Sequence, residues 1–263
     1  MNPIILKVSG KVMDNPADAE LLWKAVAKLQ ACDAVVVVHG GGKQVDELLE
    51  KLDQSVVRID GIRVTPKSQI DIVAGVLAGQ VNMKLVGAMK ASGVKAVGLS
   101  LGSHGVLDCS VDTTNDMQFG RVGVPVVGDA KLVRTLISAG YVPVVSSVGV
   151  DLSGELLNVN ADDAAAALAV SLRAESLLYV SDVAGVSDSH GKIHESISSD
   201  LIEGMIQNGE VVGGMAAKLR SAAVALEEGV MQACITSSAG AAAILRSEPS
   251  SSTTITLQEA SAS

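Results

Sequence analysis

Between Val35 and Val45 the chain reads VVVVHGGGKQV. A run of valines with no polar alternation needs apolar cover on both faces, the mark of a parallel sheet enclosed by helices. Three consecutive glycines then give up every side chain where the strand hands over to a helical pattern near Lys43. A second handover stands close to the amino terminus, where IILKV (Ile4 to Val8) runs into Ser9-Gly10. Strands that leave the sheet through glycine and enter helices predict an α/β chain whose ligands gather beyond the carboxyl ends of the strands.

The core of such a chain must be aliphatic. Only one Trp, two Tyr and one Phe occur in 263 residues, against 48% hydrophobic content. That length fits a single large α/β unit. Helices are expected over Ala17 to Ala31, from Lys43 to Leu52, and from Thr65-Pro66 to Ala91 with a break near Gly79. Further helices are expected from Asp129 through Ala139, over the alanine-rich part of Leu156 to Val170, and over Glu195 to Gln207 and Met215 to Glu228. Strands are expected at Ala34 to Val38, Val94 to Leu99, Tyr141 to Val145, Gln232 to Thr236 and Thr253 to Leu257, and at the start of Ser176 to Val186. IDGIR within Val56 to Val64 predicts a hairpin turning at Asp60-Gly61. Gly98 to Arg121 is less regular and suggests small antiparallel strands over a cleft. The tail QEASAS is expected to be exposed. A seam near Asn160 separates two lobes of one continuous sheet.

Charge and cysteine usage narrow the function classes. A formal charge of -9, with no basic run, argues against nucleic-acid or acidic-membrane partners but leaves phosphate binding open. Cys32, Cys109 and Cys234 are odd in number and lack metal-ligand spacing, as for thiols in a reducing compartment. The opening MNPIILKVSG is too short for a signal peptide, and no segment is expected to span a membrane. The expected location is cytoplasmic.

Five places then carry candidate chemistry. Gly40, Gly41 and Gly42 let backbone amides approach an anion at a helix start; a tight structural turn is the plain alternative. The pattern is neither GxxxxGK[ST] nor GxGxxG, since Val45 stands at the third glycine position. A cation must come from elsewhere. Lys7, alone among apolar residues of its strand, needs an anion or a route to solvent. In NVNADDAA, Asn158, Asn160 and Asp162 would share one face of an extended chain, and Asp162 or Asp163 can instead cap the helix. Arg63 in DGIRVT can present a fork-shaped donor to a carboxylate, and Lys218 follows Gly213-Gly214 into a helix. His39 is read as shaping the glycine loop through its ring hydrogen bonds. His104, His190 and His194 form no recognisable metal pattern.

Taken together, ILKVSG, VVVHGGGKQVD, DGIRVT, GYVPVVSSVGV, LNVNAD, SDVAGV and GGMAAK resemble the acetylglutamate kinase branch of the amino-acid kinase family, in that family's order across most of the chain. The resemblance implies a three-layer αβα sandwich with a mainly parallel central sheet, the carbamate kinase-like fold. It also implies ATP-dependent transfer of the γ-phosphoryl group to the side-chain carboxylate of N-acetyl-L-glutamate, in arginine biosynthesis. The lobe of residues up to about 160 would hold the acceptor and form a homodimer, and the rest would hold ATP. Lys7 and Lys218 would contact the phosphoryl oxygens from opposite sides, with Asp162 orienting both. Gly10, Gly41 and Gly42 would offer amides to the transferring group. Gly41, Gly42, Arg63 and Asn158 would hold the acceptor, and Lys7, Ser181, Asp182, Gly214 and Lys218 the nucleotide. Mg²⁺ would ride on the nucleotide phosphates, so no protein ligand to metal is named.

The chain departs from the family at Ala217, where proline commonly precedes the lysine, in the segment LGSHGVLDCS, and in its looser carboxyl terminus. It opens almost directly on the first strand, without the helix that joins dimers of arginine-inhibited hexameric relatives, which implies an arginine-insensitive dimer. An N-acetyl-aminoadipate kinase is the nearest rival, and DGIRVT favours the glutamate substrate. A regulatory nucleotide-binding protein on the same scaffold is the non-catalytic alternative, disfavoured by the joint presence of Lys7, Asp162 and Lys218.

Overall fold

The computed structural model describes residues 2–59, 61–113 and 119–257. In chain order the first half forms β1 (Ile4–Val8), α1 (Pro16–Leu29), β2 (Val35–His39), α2 (Gly42–Lys51), the short hairpin β3 (Arg58–Ile59) and β4 (Ile62–Arg63), α3 (Ile70–Ala74), α4 (Asn82–Ala91), β5 (Ala96–Ser100), β6 (Asp108–Val111), β7 (Val122–Val126), α5 (Lys131–Ser138), β8 (Val142–Ser146), β9 (Val148–Val150) and β10 (Leu156–Val159). The second half adds α6 (Ala161–Leu172), β11 (Ser176–Ser181), β12 (Ser196–Ser198), α7 (Ile202–Gln207), α8 (Gly214–Glu227), β13 (Gln232–Ser237), α9 (Ser238–Ile244) and β14 (Ser252–Thr256).

Among the described residues an eight-stranded sheet runs in the order β12-β14-β13-β11-β1-β2-β8-β5. Every neighbouring pair in it is parallel except β13 with β14. Strands from both sides of Asn160 thus share one sheet, joined where β1 lies beside β11. Alternation along each strand feeds two cores. Ile5, Val36, Val38, Leu177 and Tyr179 pack with the α6 and α8 layer, while Leu6, Val35, Val37 and Leu178 pack with the α1 and α4 layer. This is the expected αβα sandwich. Of the small antiparallel strands expected over Gly98 to Arg121, only β6 lies there among the described residues; it pairs antiparallel with β7, just beyond, in a four-stranded sheet β6-β7-β10-β9 whose β7–β10 pair is parallel.

Several boundaries differ from expectation. The hairpin forms, with Arg58 opposite Arg63, but its turn residue Asp60 lies outside the described residues. Thr65 does not start a helix, because its backbone bridges Phe119 and Arg121; the helix waits until Ile70. No break occurs at Gly79: a π-helical stretch over Gly75–Val81 carries α3 into α4. The resulting helix, Ile70–Ala91, is long and apolar enough to cross a membrane by length and composition, correcting the expectation that no segment is. Its Val73, Leu77, Val81, Leu85 and Met89 instead form a buried stripe against the sheet. Residues Ser196–Ser198, expected within a helix, add a strand beside β14. The helix over Ser238–Ile244 was not expected; Ser237 caps it, accepting from the Gly240 amide. The tail 258–263 lies outside the described residues.

Candidate active site

The carboxyl ends of β1 and β2, the start of α6 and the start of α8 surround a cleft of about 980 Å³. Lys7, next to last in β1, extends on the α6 side of the sheet, and its ammonium lies 2.7 Å from Asp162 Oδ1. Their side chains are only 8% and 9% exposed, so the charges meet with little solvent to screen them. Lys218 Nζ lies 3.7 Å from the other oxygen, Asp162 Oδ2, and donates to the Gly214 carbonyl at 3.1 Å. Burial pulls Lys218 below the usual lysine range and Lys7 adds to this, while Asp162 opposes it. One carboxylate thus serves a buried and a half-buried ammonium group whose sequence positions are far apart.

Asp162 reaches this place through its helix rather than an extended chain. β10 stops at Val159, and Asn160 caps α6 by accepting from the Asp162 amide at 2.8 Å. The cap is therefore Asn160, not either aspartate, and Asn158, Asn160 and Asp162 do not share one strand face. All three nevertheless line the cleft. The unpaired amides of the α6 start favour the negative charges of Asp162 and Asp163 in its first turn. Asp163 is exposed to the cleft, and desolvation by the surrounding protein, the largest cause, raises its carboxyl above the ordinary range.

The glycine loop is held from beneath. His39 is fully buried; its Nδ1 meets the Gly40 carbonyl at 2.8 Å and its Nε2 meets Asn82 Nδ2 at 2.9 Å. The Asn82 amide nitrogen also donates to the Val144 carbonyl, which fixes it as the donor, so His39 carries its proton on Nδ1. Burial, chiefly, holds this ring down at about 4. Above it the backbone is crowded. A Cβ on Gly41 would stand 2.9 Å from Leu77 Cδ2, and one on Gly10 would stand 3.4 Å from the Gly41 Cα. The two glycine turns approach each other closely enough to share one ligand.

Beside the α2 start, Arg63 is buried, donates from Nη2 to the Gly42 carbonyl at 2.9 Å and lies 2.5 Å from Asp46 Oδ1. Its Nη1 is buried with no hydrogen-bond partner among the described residues. Asn158 Nδ2 donates to Thr65 Oγ1, which donates to the Arg63 carbonyl. Asp46 and Arg58, which sequence reasoning did not single out, complete this corner: Arg58 Nη2 lies 3.0 Å from Asp46 Oδ2.

Ser181 and Asp182 stand apart from the cleft lining. Ser181 ends β11, and Asp182 pairs at 2.8 Å with Lys11, a bond that holds its carboxyl below the usual range. Gly214 and Lys218 line the cleft itself.

A family model described as the amino acid kinase family matches residues 2–237. The chain belongs to the amino acid kinase family. Within that family it is 42% identical over 224 residues to the acetylglutamate kinase of Pectobacterium atrosepticum, covering 84% of this chain and 86% of the relative. The same fold is found in a Giardia lamblia carbamate kinase bound to AMP-PNP, at a TM-score of 0.71 and 16% identity over 98% of this chain and 99% of that one. It is also found in an N-acetylglutamate synthase of Neisseria gonorrhoeae complexed with coenzyme A and N-acetyl-glutamate, at a TM-score of 0.84 and 23% identity, over 98% of this chain and 60% of that one.

Proposed function

We propose that this chain is an acetylglutamate kinase, transferring the γ-phosphoryl group of ATP to the side-chain carboxylate of N-acetyl-L-glutamate and releasing ADP. The product is N-acetyl-L-glutamyl 5-phosphate, the second intermediate of arginine biosynthesis. The observation that carries the reading is the pair of lysines, Lys7 buried and Lys218 half-buried, sharing Asp162 at the head of the cleft. The 42% identity to an acetylglutamate kinase supports the choice of acceptor.

A carboxylate acceptor is ionised near neutral pH, so no side chain needs to remove a proton. One acceptor oxygen forms a bond to the γ-phosphorus as the bond to the β-bridging oxygen breaks. The chain's task is to bring two anions together in line and to stabilise the charge of the transferring group. Lys7 approaches it from the acceptor side and Lys218 from the nucleotide side. Asp162 holds both ammonium groups and takes no proton. The amides at Gly10, Gly41 and Gly42 add fixed dipoles at no cost of reorganisation. Mg²⁺ carried on the nucleotide phosphates would neutralise further charge. Among the described residues no group of three His, Cys, Asp or Glu side chains gathers as a metal site, and no residue is assigned to the ion.

Arg63 fits the acceptor's α-carboxylate, since its Nη1 is a buried donor awaiting an oxygen. Asn158 would meet the other end of the same substrate. Residues up to about 160 would bind the acceptor and form a cytoplasmic homodimer; the rest, with Ser181, Asp182 and Gly214, would hold ATP. The test is an ATP- and Mg²⁺-dependent assay that traps acyl phosphate with hydroxylamine, run with N-acetyl-L-glutamate, N-acetyl-L-aminoadipate and free L-glutamate. Hydroxamate strongest with N-acetyl-L-glutamate is expected. Strongest product from the aminoadipate would move the assignment by one methylene, and no product from folded, ATP-binding protein would leave a regulatory binding protein.

A further inference from the structure

One carboxylate in the cleft has no task in the transfer just described. Asp163 follows Asp162 in α6, about 100° further round the helix. Its Oδ1 accepts from Ser221 Oγ at 2.5 Å. Ser221 lies three residues beyond Lys218 in α8, which sets the two side chains on adjoining positions of one helix face. Behind them Tyr179, opposite Lys7 in the β1–β11 register, is fully buried, and its hydroxyl has no hydrogen-bond partner among the described residues.

What this bond does follows from the surfaces around it. The buried residues of α6 are mostly alanine, Ala164 through Ala167 and Ala169, with Leu168 and Leu172, and α8 answers with Ala216, Ala222 and Ala225 beside Leu219 and Leu226. The alanines pack closely but interlock little, so among the apolar contacts the leucines alone key one helix against the other, and without a fixed direction. Upstream, α8 begins at Gly213 with no side-chain cap bond to fix it. A polar bond from a buried serine on α8 to a carboxylate on α6 therefore supplies directional restraint that the apolar contacts lack.

We propose that the Asp163–Ser221 hydrogen bond is a positioning device that fixes the rotation of α8 and so sets where Lys218 stands relative to Asp162 and the transferring phosphoryl group. The inference rests on the phosphoryl-transfer reading. Neither Asp163 nor Ser221 touches the reacting atoms; both act through Lys218.

The test compares Ser221→Ala, Asp163→Ala, their double variant, Ser221→Thr and Asp163→Asn in the hydroxamate assay, with thermal midpoints to establish folding. Removing either partner should lower kcat about tenfold, while KM for ATP and for the acceptor stays within about twofold of wild type. The double variant should fall no further than the singles, because both remove one interaction. Threonine at 221 keeps the donor and asparagine at 163 keeps an acceptor oxygen, so both should recover most of the rate. Folded Ala variants with wild-type kcat, additive losses, or an Asn variant as poor as the Ala variant would overturn the proposal. Wild-type protein that yields no acyl phosphate would instead sink the kinase reading. The restraint itself is then read from crystal structures of wild type and Ser221→Ala: a Lys218 Nζ to Asp162 separation left at 3.7 Å overturns it, and a displaced α8 start upholds it.

Discussion

Two glycine pairs open helices onto the same cleft, Gly41-Gly42 at α2 and Gly213-Gly214 at α8, and they need glycine for different reasons. Gly41 has φ 168°, extended backbone open to any residue, but a Cβ there would stand 2.9 Å from Leu77 Cδ2 and 3.0 Å from Val81 Cγ2. Both neighbours are buried in the core, so the constraint is space. Gly213 is the reverse. Nothing lies within 4 Å of its Cβ position, yet its φ 57° and ψ −130° suit glycine and strain any L side chain. One rim of the site is cast into the core; the other is a backbone turn in open space. On the proposed reaction, the fixed rim would suit the acceptor and the adjustable rim a nucleotide that must enter and leave.

The largest effects should come from the lysines, one on each rim. Lys7→Ala and Lys218→Ala should each lower kcat by roughly 10²–10³, the scale of losing one preorganised charge contact, with smaller changes in KM. Arginine substitutions sharpen the contrast. Lys7 sits inside a sheet between two strands, so Lys7→Arg should be almost as poor as alanine, whereas Lys218→Arg should keep measurable turnover. More activity from arginine at 7 than at 218 would break the distinction. Arg63→Ala should act chiefly on the acceptor, raising its KM about tenfold or more while kcat changes less.

Acid should erode the fixed rim first. His39, beneath the glycine loop, is neutral in the fold, its pKa lowered to about 4 from the 6.5 of a free imidazole. The unfolded chain therefore binds the extra proton between those values, and stability falls as pH drops from about 6.5 toward about 4. The full loss is about 3 kcal/mol, complete below the folded pKa. Urea midpoints across this range should slope in wild type and flatten in His39→Asn; equal slopes would remove His39 from the account. The adjustable rim titrates at the other end. Burial pulls Lys218 below the usual lysine range, so kcat should fall on the alkaline side before an ordinary lysine titrates, and Lys218→Arg should abolish that limb.

The same contrast explains what was legible in the sequence. β1, β2, β8, β11 and β13 could be read because they are buried on both faces, and Lys7 stood out as the charge within one of them. The continuity of α3 into α4 could not, since the glycine at 79 reads as a break, whereas its Cβ position is open and a π stretch absorbs the irregularity. β12 is three residues long and takes its conformation from pairing with β14, which no local pattern announces. Asp46, with the Arg63 guanidinium against it, lay hidden as one acid on an amphipathic helix. Asp163 and Ser221 are 58 residues apart, and only the packing of α6 on α8 brings them together. The union of Lys7, Asp162 and Lys218 was likewise legible only through resemblance to a family, because spacing along the chain does not report distance across a sheet.

The smallest expected effects decide the comparison most directly. Gly41→Ala should destabilise by about 1–3 kcal/mol through overpacking, and Gly213→Ala by a similar 1–3 kcal/mol through backbone strain, so the size of the loss alone does not tell them apart. Their responses to a second change do. Leu77→Ala removes the atom nearest the added methyl at 41, so Gly41→Ala should cost about 1 kcal/mol less in that background than in wild type. No neighbour lies close enough to Gly213 for any such cycle to relieve it. There the relief is conformational: Gly213→Asn should cost less than Gly213→Ala, because asparagine tolerates positive φ better than other L residues. Chemical-denaturation midpoints of these variants give both comparisons. Coupling at Gly41 without coupling at Gly213 means that one rim is shaped by its surroundings and the other by its own backbone; coupling at neither would make Gly41 a conformational glycine as well, and the two rims alike.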